Sequence, residues 1–267
     1  MTQPTGSQVD VSLEDRPGGL IAVVSINNPS RLNAMNAALM DQFVQTVNGL
    51  AGNEHLRALV VRGAGDKAFV GGADITEMAA IGDVESARAF INRVHACCDA
   101  VRAVPVPTIA RIQGFAFGAG LELAASCDLR VASDTAVFGM PEVRLGIPSV
   151  VEAALLPMLV GWGRARQMLL LGENFSAADA LAWGLVQQVT AAWSLDDAVE
   201  AWIEQTLKGA PGAVRLQKQL IRAWEDLPLR AAVQAGVDAF GAAFETDEPA
   251  TIMAAFLAER ARIKAER

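Results

Sequence analysis

The sequence predicts an α/β protein, in which strands and helices alternate around a largely parallel sheet and a helical C-terminal third follows. Three observations lead there. Short apolar strand patterns alternate with helical ones between residues 9 and 133. The gaps between successive strands are long enough for the helical crossovers that parallel pairing requires. Beyond Pro148 strand signals nearly vanish and helical stretches run to the end of the chain.

Taken in order, residues 9–26 alternate around Arg16-Pro-Gly-Gly and read as a hairpin-like strand pair. Leu39, Phe43, Val47 and Leu50 recur at helical spacing up to a stop at Gly52. Residues 58–62 form a short buried strand, 84–104 a helix, 108–113 a strand, 119–126 a helix and 128–133 a strand. The later helical stretches cover 151–171, 176–183, 194–208, 212–225, 228–241 and 247–265. Ser176 with Asp179, and Ser194 with Asp197, read as capping boxes, in which a hydroxyl satisfies a free amide at a helix start.

At 267 residues, 52% apolar and 19% charged, the chain can form one large domain or a core with a smaller appendage. Its positive mean hydropathy points to apolar surface reserved for subunit contacts, hence a homo-oligomer. A net charge of −8 opposes binding along a phosphate backbone, which needs clustered Lys and Arg, so nucleic acid is not expected as a partner. Residues 1–16 are polar, with neither a basic start nor an apolar run, and no secretory signal is expected. No run of about 18 apolar residues offers a membrane span. Cys97, Cys98 and Cys127 lack metal-ligand spacing and read as buried thiols of a cytoplasmic protein, with no metal site. His95 falls inside a helical pattern and, like His55, is read as solvated or structurally satisfied, so no histidine-based triad can be assembled.

The chemistry of the sequence lies in Glu122 and Glu142. The first follows Gly114-Phe-Ala-Phe-Gly-Ala-Gly-Leu and falls on the opening turn of a helix; the second closes Val137-Phe-Gly-Met-Pro-Glu142. Carboxyls in different surroundings can hold separated pKa values, one serving as general acid and the other as general base. Gly118-Ala-Gly120 fails as a dinucleotide fingerprint because Leu123 occupies the third glycine position, and neither a Gly-Lys-Ser/Thr loop nor Gly-x-Ser-x-Gly occurs. What the turn does offer is unpaired amides at a helix start, where the dipole adds positive potential. Residues 67–75, Lys-Ala-Phe-Val-Gly-Gly-Ala-Asp-Ile, form a second such turn, with Gly71 and Gly72 freeing amides near Ala73. Two converging amides make an oxyanion hole. A single glycine cluster usually only permits a tight turn, and a single Glu at a helix start is usually a dipole partner. Two of each, in this order, are harder to dismiss.

On these residues the sequence resembles the enoyl-CoA hydratase/isomerase, or crotonase, superfamily over nearly all its length. Asn28-Pro-Ser-Arg-Leu-Asn-Ala34 is similar to that family's N-terminal segment, residues 67–75 to its oxyanion loop, 114–128 to its first glutamate segment and 141–148 to its second. The resemblance implies a ββα spiral core over residues 1–195 that carries the site. It also implies a helical region over 196–267 that builds trimers, often paired into hexamers, and closes the pocket. It implies hydration of a trans-2-enoyl-CoA, with coenzyme A as part of the substrate and no separate cofactor. The amides of Ala73 and Ala119 would hold the thioester oxygen, Glu122 would mainly activate water, and Glu142 would mainly deliver a proton to the α-carbon. Gly71, Gly72, Asp74, Ile75 and Gly118 are implied as substrate contacts, and Arg31 and Lys67 as partners of the CoA phosphates. Met78, Ile81 and Phe90 read either as acyl-pocket lining or as plain core.

The chain departs from the family pattern in several places. Ala119 replaces a common glycine, Thr76 and Glu259 stand where some hydratases carry lysine, and residues 147–157 lack a glycine-rich stretch. The nearest rival is a Δ3,Δ2-enoyl-CoA isomerase, which needs only one well-placed base. A rival of another class is an RNA-binding or non-catalytic homologue.

Overall fold

The computed structural model describes residues 7–265; of the polar stretch 1–16, the first six residues lie outside that range. Strands β1 (Gln8–Arg16) and β2 (Gly19–Asn27) form the expected antiparallel hairpin, with Arg16 opposite Gly19 at its closed end. Helix α1 (Ala37–Ala51) begins where the Asn36 side chain accepts a hydrogen bond from the Leu39 amide at 2.8 Å, and Gly52 caps its end. Leu39, Phe43 and Val47 form its buried stripe. Strand β3 (Leu56–Gly63) is buried along nearly its whole length, as a central parallel strand covered on both faces must be.

From β3 onward the chain repeats one move: a strand in a large sheet, a three-residue strand in a small sheet, then helix. The first turn is β3, β4 (Ala68–Val70), α2 (Ile75–Ala79) and α3 (Val84–Ala103). Next come β5 (Thr108–Ile112), β6 (Phe115–Phe117) and α4 (Ala119–Ser126). The third is β7 (Leu129–Ser133), β8 (Val137–Gly139) and α5 (Leu156–Leu171), the last broken at Gly161. Strand β9 (Asn174–Ser176), α6 (Ala177–Ala182) and β10 (Gln188–Thr190) complete it. The large sheet runs β1-β2-β3-β5-β7-β10 and is parallel from β2 on. The small sheet runs β4-β6-β8-β9 and is parallel except for β9. This is the ββα spiral.

Several expectations from sequence need correction. Strand structure does not end at Pro148, since β9 and β10 lie beyond it. Like β4, β6 and β8 they have three residues each, too few to show alternation. The Ser176–Asp179 capping box forms, whereas the Ser194 hydroxyl turns to the Ala191 carbonyl at 3.2 Å and the Thr190 hydroxyl at 2.5 Å.

Phe43, Phe69, Phe138, Ile26 and Ile112 are fully buried in the core, each contributing roughly 1.5–3 kcal/mol. Cys97, Cys98 and Cys127 are buried free thiols, and burial pushes Cys97 up to about 12.

The chain divides into two compact units between Glu204 and Gln205, inside α7 (Leu195–Lys208). The cause lies in the first turns of α7. There Asp196 binds Arg111 of β5, Glu200 binds Arg16 of β1, and Leu195, Val199 and Ile203 are buried. The second unit holds α8 (Pro211–Asp226), α9 (Leu229–Ala243) and α10 (Glu248–Ala265). Within it the Glu248 carboxylate accepts from the Gly212 and Ala213 amides at 3.0 Å each, capping α8, and Trp224 donates to the Ala232 carbonyl at 2.9 Å. Among the described residues no helix is long and apolar enough to cross a membrane.

Candidate active site

Because β4, β6 and β8 are parallel neighbours, three successive turns of the spiral deliver their next residues to the same edge of the small sheet. Gly71-Gly72-Ala73 follows β4, Gly118-Ala119 follows β6, and Met140-Pro141-Glu142 follows β8. Residues far apart in sequence thereby meet.

The loop after β4 is fixed from behind. The Gly71 amide donates to the Leu32 carbonyl at 2.8 Å, Met35 to Gly72 at 2.9 Å and Asp74 to Met35 at 2.9 Å. The Asp74 carboxylate caps α2 through the Thr76 and Glu77 amides at 2.8 and 3.2 Å and accepts from Arg31 Nη1 at 2.7 Å. Burial works against its charge, but those amides and the guanidinium outweigh burial and hold it below the ordinary carboxylate range. Between these anchored neighbours the Ala73 amide meets no acceptor among the described residues.

On the next turn the Gly118 amide donates to the Gly139 carbonyl at 3.0 Å and the chain enters α4, whose first amide, Ala119, is likewise unengaged. Two glycines make this geometry possible. Gly118 holds φ 50° and ψ −122°, and a Cβ there would lie 2.2 Å from Glu142 Oε1. Gly120 lets α4 touch β4, since a Cβ there would lie 2.1 Å from the Val70 carbonyl oxygen. At the other end of α4 the buried Arg130 guanidinium donates to the carbonyls of Cys127 at 2.6 Å and Leu185 at 2.7 Å.

Glu122, only 4% exposed, accepts from the Ala153 amide at 3.2 Å. Burial is the main force raising its pKa to about 8; the charges of Glu142 and Glu152 add to it, and the Ala153 hydrogen bond opposes. The protonated form of Glu122 is therefore favoured to a higher pH than in an ordinary carboxyl. Glu142 is half-buried and accepts from the Ser149 hydroxyl at 2.7 Å. Val151, in the segment that carries Ala153, holds φ +40°, a costly conformation for a β-branched residue.

One pocket gathers most of the residues expected from sequence. Ala73, Ala119, Glu122, Glu142, Gly71, Gly72, Ile75 and Gly118 all line it, with Met78 and Phe90. Ile81 packs against the core instead. Arg31 and Asp74 pair with each other outside the lining, and Lys67 lines a separate cavity with Ser30 and Gly65. The sequence reading misses Ser149, Ala153 and Arg130, and it leaves His95 without its partner, the Glu152 carboxyl, whose Oε1 lies 2.7 Å from Nδ1. A backbone amide carries no residue-type signal; the only pointer was the departure of residues 147–157 from the glycine-rich pattern.

Comparison with known proteins shows the family to which the chain belongs. The family model described as enoyl-CoA hydratase/isomerase matches residues 17–264. The chain is 36% identical to a short-chain-enoyl-CoA hydratase of Clostridium acetobutylicum, covering 91% of this chain and 93% of that one. It is also 36% identical to a crotonyl-CoA hydratase of Syntrophomonas wolfei, over 90% and 92%. The crystal structure of an enoyl-CoA hydratase of Mycobacterium smegmatis superposes with a TM-score of 0.88 at 29% identity, over 93% of this chain and 96% of that one.

Proposed function

Because the chain belongs to the enoyl-CoA hydratase/isomerase family, we propose that it adds water across the 2,3 double bond of a trans-2-enoyl-CoA to give a 3-hydroxyacyl-CoA. The observation that carries this reading is the presence in one pocket of two carboxyls and two unengaged amides. The thioester oxygen sits between the amides of Ala73 and Ala119, which stabilise the enolate-like charge that grows on it. Each preorganised donor of this kind is worth on the order of 10²–10³ in rate.

Glu122 and Glu142 flank the reacting bond. In hydration, ionised Glu122 takes a proton from water as its oxygen adds to the β-carbon, and protonated Glu142 gives one to the α-carbon. Dehydration reverses both steps: Glu122 protonates the departing hydroxyl and Glu142 takes the α-proton. Either direction uses a pair holding one proton. Burial and the neighbouring charges favour the protonated form of Glu122.

The names of the clostridial and Syntrophomonas relatives support a short 2-enoyl group. The backbone of residues 71–75 and the cations Lys67 and Arg31 are assigned to the CoA moiety, Arg31 through the N–H groups not spent on Asp74. The reaction needs no metal and no cofactor beyond the CoA of the substrate. Exposed Leu229, Val233, Val237 and Phe240 along α9 support a homo-oligomer; its being a trimer or hexamer, and its place in the cytoplasm, belong to the proposal on the family resemblance alone.

The test is the ultraviolet absorbance of crotonyl-CoA, whose conjugation is lost when water adds. Wild-type protein should bleach it. Glu122→Gln and Glu142→Gln should each lower kcat by on the order of 10²–10⁴ with KM little changed, and wild-type turnover in either would overturn the reading. An isomerase would instead act on the 3-enoyl-CoA, and a non-catalytic homologue on neither.

A further inference from the structure

Behind the catalytic pair lies a third carboxyl that the reaction does not touch. Glu152 sits in the 3-10 turn Val151–Leu155 and is 7% exposed. Its Oε1 lies 2.7 Å from Nδ1 of His95 on α3, and its Oε2 is buried without a hydrogen-bond partner among the described residues. An orphaned carboxylate oxygen of this kind is costly and calls for an explanation. The residue on either side adds to the puzzle: Val151 is strained, and Ala153 gives its amide to Glu122. Glu152 thus sits immediately before the one backbone group that holds the catalytic carboxyl, with a half-exposed imidazole as its tether to the surface.

The other groups around it can be named. From α3 come His95 and Cys98, with Asp99 one turn beyond His95, and from α4 comes Glu122. The first two turns of α5 carry no titratable side chain. His95 is therefore the one basic side chain among these groups, and the charge of Glu152 opposes ionisation of Glu122.

We propose that Glu152, tethered by His95, is a positioning residue for the Glu122–Glu142 pair: its fixed negative charge keeps the single working proton on the pair, and its backbone aims the Ala153 amide at Glu122. The inference rests on the hydratase reading for its purpose but not for its test. If Glu152 served only to fill space, replacing it with the isosteric glutamine would leave the titration of Glu122 where it is.

The experiment reads that titration directly. Infrared spectra across pH follow the carbonyl stretch of the protonated Glu122 carboxyl, isolated by subtracting the same protein carrying Glu122→Gln. In Glu152→Gln the midpoint should move to lower pH, because a like charge has gone. In His95→Ala it should move in the same direction by less, since an untethered Glu152 either swings outward or takes up a proton. His95 lies at the surface, so this variant supplies the answer if Glu152→Gln does not fold. An unmoved midpoint in whichever of the two variants folds, or a rise, overturns the proposal. The hydratase reading fails separately, by leaving crotonyl-CoA unconverted while the midpoint still moves. Under both readings together, the alkaline limb of kcat/KM shifts down with the infrared midpoint; a purely structural residue would lower kcat at every pH alike.

Discussion

Glu122 is expensive to keep, and its cost is measurable in two ways. The first is kinetic. The working pair holds one proton, and Glu122 releases it near pH 8, so turnover of crotonyl-CoA should fall with single-proton slope above about pH 8. A rate that stays level well above that pH would contradict the assignment. The second is thermodynamic. Folding raises the pKa of Glu122 from 4.5 to about 8, so its contribution to stability is complete below 4.5 and is lost as pH climbs through 8. A glutamine cannot ionise. Glu122→Gln should therefore match wild type in thermal unfolding near pH 4 and exceed it near pH 9, by roughly 2–4 kcal/mol. Side-chain identity made Glu122 and Glu142 legible in the sequence. The groups beside them were not: Ser149 and Glu152 are ordinary residue types, and only the fold brings Ser149 to Glu142 and Glu152 near Glu122.

Among the elements, α4 carries the most function for its length. Its first amide is half of the proposed oxyanion site, its fourth residue is Glu122, and its packing depends on the absence of two side chains. Gly118→Ala should cost roughly 1–3 kcal/mol of stability for its backbone conformation alone. It should also drive Glu142 aside, so that kcat falls about as far as in Glu142→Gln. Gly120→Ala sets a methyl against the Val70 carbonyl and should cost roughly 1–3 kcal/mol while tilting the Ala119 amide. Gly49 of α1, where a Cβ meets nothing within 4 Å, is the control. There Gly49→Ala should stabilise by roughly 0.5–1 kcal/mol with no change in turnover. If all three glycine variants behaved alike in unfolding and turnover, packing at α4 would not be the cause. Helices with long apolar stripes, such as α1 and α3, could be read from periodicity. The three-residue strands that aim the site could not, and only the family resemblance implied them.

For the whole molecule the C-terminal unit poses the main question. On α9, Leu229 is 81% and Phe240 71% exposed, and α10 adds Phe256 and Leu257. Surface of this kind is stable in water only when covered. Light scattering should give a multiple of the chain mass for wild type, and Phe240→Asp should lower it; a monomeric wild type would remove the assignment of these helices to assembly. Their existence was plain from sequence, but the boundary ahead of them was not. The first turns of α7 are bound by Arg16 and Arg111, contacts that no residue pattern in the sequence announces. Val151 has a consequence for the protein's future rather than its present. Glycine or asparagine at 151 would relieve a backbone held at φ +40° and make the fold more robust by about 1 kcal/mol. A laboratory selection for heat resistance alone would find that exchange early. Its survivors would outlast the parent but carry a looser Ala153 amide, and a lineage screened only for survival would drift toward a durable, slower protein.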